Sequence, residues 1–256
     1  MEKVNKELNL SVIKAFKILE VYLNGKEVWG VRELAKKTGY NKTTTYRLLS
    51  TLESLDIVQK NDDDKYILGL KLFELGNLVS VYKSLRTFSR VPLEVIAKDI
   101  KETVHFGVLK NNQVLYLNKA ESELGLKVST QIGSYQQAYC TALGKVLLAF
   151  SSANVISDYL RNVSLEAFTS KTITTSKDLL IELEQVKTKG YALDMEELEL
   201  GLICIAIPVF NKNKEVVAGV SVSGPSSRFK SENITSYLSI IKKGALEIEA
   251  HIRDYN

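Results

Sequence analysis

Apolar residues near the start of the chain recur at helical spacing. Val12, Phe16, Leu19 and Leu23 follow one another at intervals of four, three and four, with Ile13 and Ala15 beside them. That stripe predicts an amphipathic helix capped by Ser11 and stopped at Asn24-Gly25. A second helix is predicted over residues 31–38, burying Leu34 and Ala35 and ending at Gly39, where positive φ is cheap. Asn41, a favoured N-cap, starts a third helix over 42–55. Thr45, Leu48, Leu49, Leu52 and Leu55 face inward on it; Lys42, Thr43, Thr44, Tyr46, Arg47 and Ser50 face outward.

The period then switches to two. Residues 57–60 and 65–68 alternate as strands across the turn-rich connector 61–64, which predicts a hairpin. From Gly69, residues Leu70, Leu72, Phe73, Leu75, Leu78 and Val79 continue as a helix whose apolar face is too broad for a lone solvated helix. It is expected to be a linker packed on a second protomer or a second domain. A helix follows from Pro92 through Leu93, Ile96, Ala97 and Ile100. Strands are predicted at 104–109, 114–118, 126–131, 202–210 and 216–223, and helices at 141–151, 177–190 and 231–253. Hairpinned strands with interspersed helices make this part an α+β domain with an antiparallel sheet.

A short helix, a glycine turn, a helix with a polar N-terminal face and then a hairpin form the pattern of a winged helix-turn-helix. Such a helix places its first residues against base edges and phosphates in the major groove, where its dipole also favours phosphate. Lys42, Thr43, Thr44, Tyr46, Arg47 and Ser50 are therefore the candidate contacts to double-stranded DNA, with Lys60 and Lys65 on the wing. Asp62, Asp63 and Asp64 at the wing tip would repel phosphate, so the tip is expected to face away from DNA. Charge agrees. Residues 1–90 carry 16 Lys and Arg against 11 Asp and Glu, whereas residues 91–256 carry 18 against 19.

Composition narrows the class further. The chain has 256 residues, 45% hydrophobic and 25% charged, which is room for two globular domains. No run approaches the ~20 apolar residues of a membrane span, and the N-terminus lacks the apolar core of a signal peptide. Two cysteines, Cys140 and Cys204, are too few for a disulfide framework, so a cytoplasmic location is expected. The two histidines, His105 and His251, form no metal-ligand spacing, and Gly144-Lys145 lacks the rest of a phosphate-binding loop, so neither metal nor nucleotide cofactor is expected.

The second half offers a candidate pocket. Asp194 follows a strand-like Tyr191-Ala192-Leu193, Ser221 and Ser223 share one strand face, and Cys204 is expected on the neighbouring strand. The turn Thr141 to Gly144 opens a helix whose free N–H groups suit a carboxylate. Singly, each has a plainer role: the serines bonding backbone, Cys204 filling core, Asp194 capping a turn. Together they resemble the polar lining of a small-molecule site.

Nearly end to end, the chain resembles the IclR family of bacterial transcription regulators. The blocks TTTYRLLSTLESLDIV, ETVHFGVL, AYCTALGKVLLAF, KGYALDMEELELGLICIAIPVF and VVAGVSVSGPSSRF carry the likeness in order and spacing. The resemblance implies a winged helix-turn-helix over 1–69, a linker helix over 70–90 and a GAF/profilin-like effector-binding and oligomerisation domain over 91–256. It implies a homodimer or dimer of dimers on a palindromic operator, and effectors that are small organic acids or aromatic compounds. Effector contacts implied by the family pattern fall on Ala142, Leu143, Asp194, Cys204, Ser221 and Ser223, with Leu202 and Val128 on lining positions. The chain departs from the pattern at Gln136-Gln137, where an apolar residue and proline are common, at Tyr139 in place of His, and at Met195 in place of an acid. Gln136 makes the entrance more polar and points to a hydroxylated ligand such as a sugar acid.

The expectation is a ligand-responsive repressor of a catabolic operon, not an enzyme. The alternative is a GAF-like sensor or enzyme whose N-terminal helices mediate protein contacts.

Overall fold

The computed structural model describes residues 8–80, 82–124, 130–229 and 231–253. The chain forms two compact units, residues 1–81 and 82–256.

The first unit holds α1 (Leu10–Glu20), α2 (Val31–Thr38), α3 (Lys42–Ser54), the hairpin β1 (Val58–Lys60) and β2 (Tyr66–Leu68), and α4 (Leu70–Asn77). Ile18, Leu34, Leu49, Val58 and Tyr66 form its core, together with Trp29. Trp29 exchanges backbone bonds with Tyr66 at 3.0 and 2.8 Å, which adds a third line of pairing to the hairpin. Gly39 ends α2 with φ +74°, and Asn41 caps α3 by accepting the Thr44 N–H at 2.7 Å, both as the sequence predicts. Asn41→Ala is expected to destabilise this unit by about 1 kcal/mol, read as a lower urea midpoint in the fluorescence of Trp29, the only tryptophan.

Four expectations for this unit change. Asn9, not Ser11, caps α1, accepting the N–H of Ser11 and Val12. The apolar stripe on α1 is not the core face: Val12, Phe16 and Leu23 are exposed, while Ile18, Val21 and Tyr22 are buried. Ile18, Val21 and Tyr22 stand at the i, i+3, i+4 spacing of one helical face, which continues into a 3-10 turn over Val21–Asn24, so the core face is set by Ile18 rather than by Phe16. Leu55 is exposed because the chain leaves α3 there: Ile57 bonds back to the Leu52 carbonyl and Asp56 takes a positive φ. The helix after Gly69 ends at Asn77 rather than running on through Val79.

In the second unit α5 (Lys83–Ile100) runs across the predicted boundary at 90 and holds Pro92 inside it rather than at its start. The lost backbone bond is tolerated because Ser89, Pro92, Leu93, Ile96, Ala97 and Ile100 bury one continuous face. Six strands follow: β3 (Thr103–Lys110), β4 (Gln113–Ala120), β5 (Tyr135–Gln137), β6 (Ala192–Met195), β7 (Leu202–Phe210) and β8 (Val216–Pro225). They form one antiparallel sheet in the order β5-β4-β3-β8-β7-β6. Between them lie α6 (Ala142–Ala149), α7 (Ala153–Asn162) and α8 (Ser176–Lys189), and α9 (Ile234–Arg253) closes the chain. The short β5 and α7 escape the sequence pattern, and the strand predicted at 126–131 lies largely outside the described residues.

Alternation splits this sheet between two cores. Val104, Phe106, Ile205, Val220 and Val222 pack with α5 and α9. The intervening positions face α6 and the residues around Tyr139, Tyr159 and Leu183. The polar candidates of the second half stand on that α6 face.

Candidate DNA-reading surface and effector site

On α3 the first turn carries no acid, and Lys42, Thr43, Tyr46 and Arg47 are exposed, with Thr44 and Ser50 half-buried beside them. Inward Thr45 is fully buried and bonds the Asn41 carbonyl, so the two faces of the helix separate as predicted. The outward residues form one donor-rich surface at the positive end of a thirteen-residue helix. On the wing, Asn61 folds the tip by accepting the N–H groups of Asp63 and Lys65. Lys60 is held by Asp64 at 2.6 Å, which answers part of its charge within the hairpin. Lys65 is exposed. Exposed Arg32, Lys36 and Lys37 on α2 add positive charge to the unit.

In the second unit the strand registers bring the candidates into two rows. Asp194 stands opposite Cys204, Cys204 opposite Ser223, and Ser223 opposite Thr103. Two residues along, Ala192, Ala206, Ser221 and His105 line up in the same order. Leu202 shares the face of Cys204. Gln136 pairs with Val114 on β4 and so lies toward the α6 side, at the sheet edge. Val128 lies outside the described residues.

Asp194 is fully buried. Its Oδ1 accepts the Glu197 N–H at 2.7 Å, while Oδ2 has no hydrogen-bond partner among the described residues. Burial pushes this carboxyl up to about 7, against the stabilising N–H of Glu197. The Cys204 thiol lies beside Asp194 and Ser223, and burial, then Asp194, push it up as well. Tyr116 on β4 reaches the same cluster: burial raises its phenol, and Cys204, Asp194 and Cys140 add to the effect.

Thr141 caps α6 by taking the Gly144 N–H at 3.1 Å. The N–H groups of Ala142 and Leu143, in the first turn, have no bond among the described residues. The Leu143 side chain is not free to line a pocket, because it fills the space over Gly219. A Cβ there would fall 2.6 Å from Leu143 Cδ1. Leu143 therefore offers only its backbone.

One further turn along α6, Lys145 is 1% exposed and bonds Glu197 at 2.6 Å and Glu182 at 2.9 Å. Its burial would by itself push the ammonium down, but the two glutamates hold it up. Sequence reasoning missed Lys145, Glu197, Tyr116 and His105. One signal was present for Lys145, since a cation inside the apolar run ALGKVLLAF demands a buried partner.

A helix-turn-helix with a donor-rich α3 on one unit, and an α+β unit with a buried polar cluster after it, have the make-up of a DNA-binding transcription regulator. Residues 11–62 match the IclR helix-turn-helix domain, and residues 79–250 match the family described as bacterial transcriptional regulator IclR C-terminal. The chain belongs to the IclR family of bacterial transcriptional regulators. It is 37% identical over 243 residues to the HTH-type transcriptional regulator KdgR of Escherichia coli K12, covering 94% of this chain and 92% of that one. The solved structure of the Thermotoga maritima IclR is 33% identical, covers 95% of this chain and 98% of its own, and superposes with a TM-score of 0.79. An IclR homologue of Microbacterium hydrocarbonoxydans, solved with 4-hydroxybenzoate, shares the fold at 20% identity and a TM-score of 0.83, covering 94% of this chain and 98% of its own. Among the described residues no helix is long and apolar enough to cross a membrane.

Proposed function

We propose that this regulator is a repressor of a catabolic operon, released from or fixed on its operator by a small hydroxylated organic acid. The observation that carries the reading is the buried Asp194 carboxyl, one of whose oxygens has no partner among the described residues, in a chain that also holds a winged helix-turn-helix. The acid's carboxylate takes the first N–H groups of α6, and Asp194, Cys204, Ser221 and Ser223 take its remaining oxygens. Residues 1–69 read DNA, residues 70–90 link, and residues 91–256 sense. A relative of the same fold solved with a small hydroxylated carboxylic acid supports this ligand class.

The active species in this reading is a homodimer, or a dimer of dimers, on a palindromic operator in the cytoplasm. A groove of about 810 Å³ between α1, α3 and α4 has Thr44, Tyr46, Arg47 and Ser50 on its α3 wall, so its α1 and α4 walls are the ones left for a second protomer. Val12, Phe16, Phe73 and Leu75 stand exposed on those helices, more apolar surface than a lone head leaves in water. Ligand binding favours one of two pre-existing arrangements and so changes the spacing of the paired recognition helices.

Mobility-shift assays with the gene's own upstream DNA test the reading surface. Arg47→Ala is expected to weaken binding by about tenfold or more while leaving the fold intact. Undiminished affinity would move the reading surface off α3.

A further inference from the structure

His105 is the one histidine inside the second unit's sheet, and nothing in the site described above uses it. It stands on β3 directly opposite Ser221, on the α6 face, and is 1% exposed. Its Nε2 meets the Thr130 hydroxyl at 2.5 Å, while its Nδ1 is buried with no partner among the described residues. Its ring lies 5.0 Å from that of Tyr116, the residue whose phenol senses Asp194 and Cys204. Buried polar atoms without partners are rare in folded proteins and are costly where they occur. Among the described residues three side-chain atoms are so placed, Asp194 Oδ2, Glu197 Oε2 and His105 Nδ1, and the first and last stand on strands of the sheet, three strands apart.

Resting on the effector reading above, we propose that His105 is a second ligand contact, whose Nδ1 bonds a hydroxyl group at the far end of an acid anchored near Asp194. Burial, with Lys119 adding to it, holds the imidazole down to about 3, so it is neutral throughout the physiological range. A neutral imidazole is no counter-ion for a carboxylate. It is a good partner for a hydroxyl, which donates or accepts to suit whichever tautomer the Thr130 contact selects. Strand spacing sets the length of the ligand. Three strand steps and the two-residue offset between the rows put the two backbone positions roughly 16 Å apart, before the side chains reach inward. A two-carbon acid at α6 falls short of His105, whereas a hydroxylated chain of about five or six carbons, with a hydrogen bond at each end, spans the interval. The site thus selects an aldonic-type acid over a short acid.

Calorimetric titration of the full chain with D-gluconate, 2-oxo-D-gluconate and glycolate tests this, using two His105 variants. Asparagine places a polar atom near the Nδ1 position; glutamine reaches the Nε2 position instead. His105→Gln is expected to raise the Kd of the better-bound six-carbon acid at least about tenfold, with glycolate changed by no more than about twofold. His105→Asn is expected to keep the six-carbon acid within about threefold. The reverse ranking, with Gln retaining affinity and Asn losing it, would reduce His105 to an anchor for Thr130 and overturn the proposal. So would equal losses for long and short acids, or no loss at all. On the unaltered protein, hexanoate must bind at least about tenfold more weakly than the six-carbon hydroxy acid, a comparison that stands even if a variant fails to fold. If neither six-carbon acid binds, the proposal is wrong. Asp194→Ala separates the two levels. If it leaves every acid's binding unchanged, the effector site itself is misplaced; if it abolishes binding while the His105 variants bind normally, only the present proposal fails.

Discussion

Lys145→Ala is expected to lower the stability of the second unit by roughly 3–5 kcal/mol, enough to unfold much of it at room temperature. The argument is about what stays behind. Lys145 and Glu197 are both buried, at 1% and 6% exposure, and Glu182 completes the cluster from α8. With the ammonium gone, Glu197 keeps its carboxylate in a site that already pushes its pKa up by burial, with Lys145 the main opposing charge. Glu197 must then take a proton or draw water into the core, and its backbone N–H loses its fixed position on Asp194 Oδ1. An alanine also leaves a cavity beside α6. The two units give separable signals, because the single tryptophan, Trp29, sits in the core of the first. Urea unfolding should show the tryptophan transition unmoved while the far-ultraviolet circular dichroism loses the part of its change that the tryptophan does not follow. A triple variant, Lys145→Met with Glu197→Gln and Glu182→Gln, should recover most of the loss, since it removes the buried charges together. An unchanged second transition in Lys145→Ala would show that the network carries no net stability.

The cluster also marks where sequence stops being legible. Asn41 and Gly39 were readable because a cap and a positive-φ stop are local: the residue and the backbone group it serves lie within four positions. The pocket face was readable for a similar reason. Ser221 and Ser223 share one face by alternation and Cys204 falls on the neighbouring strand, so the register merely set Asp194, Cys204 and Ser223 opposite one another. Lys145 could be flagged as a cation in an apolar helix, but its partners lie 37 and 52 residues away, and no local pattern names them. His105 was harder. Its alternating strand left it a place in the core or at an edge, and that its Nδ1 lacks a partner among the described residues depends on the whole packing around it. On α1 the pattern pointed the wrong way, because periodicity reports an apolar face without saying what covers it. Val12 and Phe16 are exposed within this chain, while the 3-10 turn supplies Val21 and Tyr22 to the core instead.

Asp194 gives the clearest test of how ligand and proton are coupled. Affinity for the acid is expected to fall as pH rises through about 7, by about tenfold per unit above it. The sign follows from charge. Below about 7 the buried carboxyl is protonated, so it can donate to a ligand oxygen and offers no repulsion; above it, an anionic ligand meets a second anion in the same enclosed space. Of the surrounding groups, Glu197 shares the titration, since burial pushes its carboxyl up too and its charge adds to the rise of Asp194, while the others hold one state. Cys204 and Tyr116 are pushed up and stay neutral, His105 stays neutral down to about 3, and Lys145 stays charged. Stability shares the sign. A carboxyl whose folded pKa is raised from 3.8 to about 7 contributes stability in full below about 4, losing it progressively up to about 7. The second unit should therefore be more stable at pH 5 than at pH 8, by an amount of the order of a few kcal/mol. Asp194→Asn keeps the shape and a donor but cannot ionise. It should flatten both profiles and bind the acid at pH 8 more tightly than the unaltered protein does. Calorimetry in two buffers of different ionisation enthalpy provides the decisive reading: binding at pH 8 should take up close to one proton per site in the unaltered chain and none in Asp194→Asn. Uptake that persists in the variant would place the proton on another group and leave Asp194 as a fixed anion that the ligand avoids.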